Sequence, residues 1–354
     1  MKACERLDQA LLATPDDVGL LIARGRADAQ IGNAAEAAEF FQEGARYARV
    51  NGDRTGEAEA LMLAASSLSS AGNGADARTA YHRAISCFEL IRSDSNVARA
   101  RLALARHELA GNALGAARQQ LKRCVRPLGE AADWSELGWV HDRLSEIALG
   151  DGDVQLALTH ARSSVEVAAQ DNDRDLFGVR LARVGTLHKE AGNLVKSSSY
   201  LTRALPYLTG TEDALPLLDA LLALAESART RGRDADVVDH LGAAKKAADT
   251  GASPGARGRV RVQLAQALGP DDLPHACTLL EEALTLFRKA GETRDSGPAW
   301  LALAGVRLQM GDPDNARDAL SRARSVFEMV GDEEQVAEVV AMERAADAGR
   351  WDPA

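Results

Sequence analysis

One short pattern recurs along this chain at a nearly fixed spacing, and it leaves little freedom in how the chain can fold. Gly is followed by Asn or Asp, and then by Ala four residues further on. The pattern stands at Gly32 (IGNAAEA), Gly72 (AGNGADA), Gly111 (AGNALGA), Gly152 (DGDVQLA), Gly192 (AGNLVKS), Gly232 (RGRDADV) and Gly311 (MGDPDNA). The steps between copies are 40, 39, 41, 40, 40 and 79 residues, and the last is two periods. Its midpoint falls at Asp271 in GPDDLPHA, where Ala276 keeps the offset. The sequence therefore holds eight copies at a period of about 40, one with Asp in place of Gly. A period of this length is the mark of a repeat array.

Each position has a physical reason. Gly tolerates the left-handed conformation that closes a helix. The polar residue after it, Asn33, Asn73, Asn112, Asp153, Asn193, Asp272 or Asp312, can cap the next helix; only Arg233 departs. Small residues follow five positions past the Gly (Ala37, Ala77, Ala116, Ala157, Ala276, Ala316). Twelve past it stand Gly44, Ala84, Ser164, Ala204, Ala244, Ala283 and Ala323, with Arg123 as the exception. Small side chains at these places let two antiparallel helices approach closely. The stretches on both sides of each Gly have apolar residues at helical spacing, and nothing alternates like a strand. Breaker-rich loops such as NGDRTGE and QDNDRD separate the units, and the SPGARG stretch at Ser253 is the nearest candidate for a hinge.

This arrangement of Gly, Asn or Asp, Ala, a bulky residue nine past the Gly and a second small residue resembles the tetratricopeptide repeat. The 40-residue variety, found in bacterial signalling regulators and polarity adaptors, is the nearer match. The turn from Asn51 to Leu61 (NGDRTGEAEAL) is the kind it uses between repeats, and Trp300 fits its early-helix Trp. The resemblance spans essentially the whole chain. It implies an all-α fold: an α-solenoid of helix-turn-helix repeats in a right-handed superhelix, with the first helices lining the concave side. On this reading residues 1–354 form one solenoid. Residues 1–16 are an orphan N-terminal helix, 17–332 the eight repeats, and 333–349 a C-terminal capping helix that stops at Gly349. Solenoids need caps at their open ends.

Composition narrows the function. The formal charge is −10 over 354 residues, which argues against phosphate-driven nucleic-acid binding. No apolar run is long enough to span a membrane. The four cysteines lie far apart with no CxxC pair, which suits a reducing cytoplasm. None of the seven histidines forms HExxH, and no P-loop, GxGxxG or GxSxG is present. The glycines close helices instead of cradling phosphate, so we expect neither an enzyme nor a cofactor or metal site.

What remains is the concave face. Counting back 13, 10, 6 and 3 residues from each Gly marks one side of the first helix. The third unit gives Ala98, Arg101, Ala105 and Glu108; the fourth Trp139, Asp142, Glu146 and Leu149. The fifth gives Val179, Ala182, Thr186 and Lys189; the sixth Asp219, Leu222, Glu226 and Arg229. The charged members and Trp139 are the candidate groove residues, with a mildly acidic balance that favours a basic partner. Trp139 is the candidate anchor, with packing between hairpins as its alternative. The seventh and eighth units give Gly258, Arg261, Ala265, Leu268 and Pro298, Leu301, Gly305, Leu308. These are small or apolar apart from the Arg, and a last helix bearing Val336 and Val340 is expected to pack over them. The expected role is a non-enzymatic scaffold that holds a protein or peptide segment. The alternative is a sensor module that binds a signalling peptide or small molecule and acts on a separate effector. Self-association through the terminal helices is a further expectation.

Overall fold

A computed structural model describes residues 2–211 and 213–347. Among them are eighteen α-helices, one short 3-10 turn and no strand. They divide at Asn172/Asp173 into two compact units. The first unit opens with α1 (Lys2–Ala13) and continues as four hairpins. These are α2 (Val18–Gln30) with α3 (Ala34–Val50), α4 (Arg54–Ser70) with α5 (Gly74–Leu90), α6 (Asp94–Ala110) with α7 (Leu114–Glu130), and α8 (Trp134–Gly150) with α9 (Val154–Asp171). The second unit holds α10 (Arg174–Glu190) with α11 (Leu194–Leu208), α12 (Leu215–Thr230) with α13 (Asp234–Gly251), α14 (Pro254–Ala267) with α15 (Leu273–Ala290), and α16 (Thr293–Gln309) with α17 (Pro313–Val330). It ends with α18 (Glu333–Asp347); Gly349, where this helix was expected to stop, lies outside the described residues.

The turns set this regularity. Residues 32, 52, 72, 92, 112, 132, 152, 172 and 192 all have positive φ, one every twentieth position. After each except Asn172 the next backbone N–H reaches back five residues, as in Asp53 N–H to Ala48 O at 2.9 Å and Asn193 N–H to His188 O at 2.8 Å. That bond satisfies a carbonyl the helix end would otherwise leave open. The same residue then starts the next helix. Asp53, Asp153, Asn193 and Asp312 accept a side-chain cap bond from the backbone, whereas Asn33, Asn73 and Asp272 make none.

Two turns depart from the sequence reading. In the third unit Gly111 is the C-cap of α6 at φ −84° and Asn112 takes the left-handed place at φ 56°. Asn is among the few side chains that adopt this conformation readily. The whole unit is therefore shifted by one residue. Ala117 and Cys124, not Ala116 and Arg123, are the small buried residues of α7, which removes the exception at Arg123. In the seventh unit α15 keeps the expected phase, but Gly269 at φ 66° ends α14 two residues before Asp271. Asp271 and Asp272 lie in the 3-10 turn that fills the gap. Ser253, at the expected hinge, caps α14 by accepting from Ala256 N–H, with Pro254 in the first turn.

Within each unit a first helix packs on its own second helix and, where there is one, on the second helix before it. Neighbouring first helices also touch: α2 with α4, α4 with α6, α10 with α12, and α14 with α16. Successive second helices stand further apart, so in each unit the first helices form the inner row. The seams are built from small residues and a few large apolar side chains. Phe41, Leu121, Leu201, Leu241, Leu280 and Leu320 are essentially sealed from solvent. Gly258 and Gly297 sit where a Cβ would come within 2.7 and 2.8 Å of the Phe287 and Phe327 rings, so the rings rest on helix backbone.

Arg92 and Ala132 hold left-handed positions that cost an L residue about 1–2 kcal/mol, against roughly 0.5–1 kcal/mol of extra chain entropy for Gly. Ala132→Gly should therefore raise stability by about 0.5–1 kcal/mol. Thermal melting checks this, and an unchanged or lowered melting temperature contradicts the turn geometry.

Candidate functional site

A first helix buries three sides, and the fourth faces outward along the inner row. Where a left-handed Gly stands at the counted place, counting back finds that side. In α8, Trp139, Asp142, Glu146 and Leu149 are all partly exposed. In α12, Asp219, Glu226 and Arg229 are exposed and Leu222 partly so. In α10, Thr186 and Lys189 are partly open and Val179 is exposed, while Ala182 is buried. In α16, Pro298 is exposed and Leu301, Gly305 and Leu308 are partly exposed.

The count fails in α6 and α14, where the turn is displaced. Glu108 is 3% exposed and accepts from Arg78 through both oxygens, at 2.7 and 3.2 Å. The Arg101 guanidinium donates to Glu89 at 2.5 Å. Both bonds lie between α5 and α6, so neither residue belongs to the open face. A one-residue error turns a helix by about 100°, enough to exchange an open side for a seam. Counting from Asn112 selects Arg99, Leu102, Arg106 and Leu109, of which both arginines are exposed. In α14, Gly258, Arg261 and Ala265 are buried, and Arg261 is held by Asp249 and Glu282. The open residues there are Arg259, Gln263 and Gln266.

With the phase corrected, Asp142, Glu146, Asp219 and Glu226 are balanced by Arg99, Arg106, Lys189 and Arg229. The expected acidic surplus is absent from these helices. Many of the charges also neutralise one another. In the first unit Arg106 meets Glu136 at 2.6 Å and Arg143 meets Glu146 at 2.7 Å, while Ser164 donates to Asp142. Trp139 lies between the two guanidiniums, 4.6 Å from that of Arg106 and 6.0 Å from that of Arg143. One part of its ring packs on the core of α6–α9 and the rest is open, so it serves both expected roles in part. Beside α2, α4 and α6 lies a cavity of about 470 Å³ floored by Met62, Leu63 and Phe88 and rimmed by Arg26, Glu59 and Arg99.

In the second unit Lys189 of α10 reaches Glu226 of α12 at 2.6 Å. The Asp219 carboxyl is pushed up by partial burial and then by Asp213, although the residue as a whole is exposed. Arg229 makes no ion pair among the described residues. α18 reaches α16 through Met342, which stands against Gly305, and covers its open face only in part. It packs on α17 through buried Val339 and partly buried Val336, adding one more helix to the inner row. An open cleft of about 650 Å³ remains against Pro298, Leu301 and Gly305, with Gln266, Gln309, Gln335 and Glu338 around it. Sequence reasoning missed these four polar residues. Gly269 was the missed signal for Gln266, which lies three residues before it.

No group of three or more His, Cys, Asp or Glu among the described residues could hold a metal ion, and the four cysteines are free thiols. His107 is tied to Ser69 and Gly74, and His188 stacks on Tyr200. His141 and His160 face each other with their Nδ1 atoms 3.2 Å apart. Burial, and then Lys122, pull His160 below its ordinary value of 6.5.

No protein-family model matches the sequence, and no curated protein matches it. Solved structures match in fold. The apo form of RapI has a TM-score of 0.60 at 12% identity, covering 88% of this chain and 85% of its own. A signal-transduction ATPase with numerous domains and a tetratricopeptide repeat sensor, from Pyrococcus horikoshii, scores 0.58 at 14% identity. That match covers 89% of this chain but 54% of the ATPase. The C-terminal part of a tetratricopeptide repeat protein from Cytophaga hutchinsonii scores 0.55 at 14% identity over 78% of this chain and 97% of that one. The fold is a tetratricopeptide-type helical-repeat fold.

Two outcomes follow from the geometry. Glu108→Ala strips two charge-assisted bonds from a seam and should cost about 1–3 kcal/mol, whereas Arg99→Ala on the open face should stay within about 0.5 kcal/mol. Denaturant unfolding of the two variants distinguishes them, and equal effects would place both residues in similar surroundings. For His160, the unfolded chain takes up a proton at a higher pH than the folded chain. Stability is complete above about 6.5 and falls as pH drops below it. The loss of melting temperature between pH 7.5 and about 5.5 should shrink in His160→Gln; an identical pH profile contradicts it.

Proposed function

We propose that this tetratricopeptide-type array is a non-enzymatic scaffold that holds a protein or peptide segment against the inner faces of its first helices. The observation that carries this reading is the row of side chains those helices leave open. A helix needs only its buried sides to build the array. Yet α4, α6 and α8 also carry Met62 and Leu63 beside the open Arg26, Glu59 and Arg99, and a half-open Trp139 braced by two arginines. Apolar contact surface ringed by charge suits a segment that orders on binding, and Trp and Arg are enriched among residues that dominate binding energy. Pairs such as Arg143–Glu146 contribute little to stability at the surface, about 0–1 kcal/mol, and can be exchanged for pairs with a partner. Four free thiols suit the reducing cytoplasm, where we place the protein.

The sensor reading is the second one. The repeat array of the Pyrococcus horikoshii ATPase is described as a sensor, and an array that flexes between hairpins could report an occupied face to a separate effector. A change in radius of gyration on ligand binding separates it from a passive scaffold.

The test of the scaffold reading is selection from a phage-displayed library of random peptides on the intact chain. Enriched peptides should bind Trp139→Ala or Arg99→Glu roughly tenfold more weakly, with little change in melting temperature. Absence of enrichment over a plain surface, or enriched peptides that no substitution on the open face of a first helix weakens, overturns the reading.

A further inference from the structure

We propose that the cleft between α14, α16 and α18 holds an extended, apolar peptide segment that carries one positive charge, seated at Glu338. This rests on the scaffold reading and assigns the occupant of one stretch of the inner row.

The cleft differs chemically from the rest of that row. On α8, α10 and α12 several open charges pair with each other or with neighbours, as Lys189 does with Glu226 and Arg143 with Glu146. Here the floor is apolar, from Leu301, Val306 and Leu280, and the polar side chains are three glutamine amides and the Glu338 carboxylate. Gln266 on α14 and Gln309 on α16 make no side-chain hydrogen bond among the described residues. Gln335 on α18 donates to Glu338 at 3.0 Å and keeps its carbonyl oxygen available. Each glutamine amide can donate and accept at once, which matches a peptide backbone that offers N–H and C=O groups in turn. One glutamine stands on each of three successive first helices. Helices that pack side by side lie about 8–10 Å apart, the rise of about three residues of extended chain. Gln266 and Gln309 stand in the last turns of α14 and α16 and Gln335 in the first turn of α18, so a segment runs obliquely across the three helices, from those two amides to Gln335 and Glu338.

The room for it has a visible cause. α14 has 14 residues where α16 has 17, because Gly269 ends it early. On α16 the facing positions are Pro298, Ala302 and Gly305, so no large side chain fills the gap. A cleft of about 650 Å³ falls within the range of ligand sites, roughly 300–1,000 Å³. Charge names the occupant's sign. Glu338 is the lining carboxylate, and no Lys or Arg lines the cleft. An acidic segment would meet an uncompensated negative group, whereas a Lys, an Arg or a free amino terminus would complete it.

The experiment uses the full chain and fluorescein-labelled peptides of about eight residues, built from Leu, Val, Thr and Ala with a single Lys, Glu or Gln. Anisotropy should order them Lys above Gln above Glu. Glu338→Lys should reverse the first and last. Gly305→Leu fills the cleft; a Cβ there meets only Met342 Cε, at 3.6 Å, so the fold tolerates it. It should weaken the Lys peptide at least tenfold, as should Gln309→Ala combined with Gln266→Ala, with melting temperatures near wild type. Equal binding of all three peptides, a preference for Glu, or retention of the Lys peptide by Gly305→Leu overturns the assignment. Should the Lys peptide survive Gly305→Leu but fall with Trp139→Ala, the scaffold reading stands and only the cleft is lost. Should no peptide, designed or from the random library, bind the intact chain, both fail.

Discussion

A single left-handed residue after each helix from α2 to α12 and from α14 to α17 governs this protein. It allows the next N–H to fold back on the last helical turn and at once points the chain into the following helix. Helix length, reversal and rotational phase are thereby fixed within three residues. Because the turns recur every 20 residues from 32 to 192, each helix of the first unit from α3 to α8 has the same 17 residues. Equal helices in equal phase present equal faces, and a stack of such hairpins buries a continuous core that no hairpin could bury alone.

Phase then decides the meaning of every side chain. The same glutamate is a solvated charge on one side of a first helix and a sealed partner on another. Glu226 and Glu108 illustrate this: the first stands on the open face beside Lys189, the second is held in a seam by Arg78. Burial of Glu108 is tolerated because both of its oxygens are bound, and the same holds for Arg261 between Asp249 and Glu282. Small residues follow the same rule. Ala84, Cys124, Ser164, Ala204, Ala244, Ala283 and Ala323 share one place on the second helix and are all sealed from solvent, although their chemistry differs.

The array was legible in the sequence because Gly marks the left-handed position so consistently. At Gly152, Gly192, Gly232 and Gly311 the mark is unambiguous, and the faces of α8, α10, α12 and α16 follow from it. Gly111 misled because a second residue capable of the same conformation, Asn112, comes next and takes the role. The apolar side chain nine places on, Leu121 where the count from Gly111 gives Gln120, was the sign of the shift. At Asp271 the period was right for α15 and wrong for α14, since an insertion inside a turn moves one helix and leaves the other. Ion pairs such as Arg106–Glu136, between helices 30 residues apart, depend on rotamers and on neighbouring helices, and no spacing rule within one helix reveals them. The division at Asn172/Asp173 left no trace either, because the turn there keeps the 20-residue beat.

Regularity and recognition pull in opposite directions in such a fold. A stack with every turn in step offers the same shallow face throughout, and its open charges find partners among themselves. Departures from the beat create distinct surroundings. The early end of α14 at Gly269 removes most of a helical turn from the inner row, and the small residues of α16 leave that space unfilled. In a chain selected for stability alone, a Leu at Gly305 would close the gap and bury apolar area worth about 25 cal/mol per Å². Keeping the gap open, floored with leucines and bordered by unpaired amides, sacrifices that stabilisation. The proposed binding role would account for the sacrifice, since a partner would supply the missing contacts when it arrives.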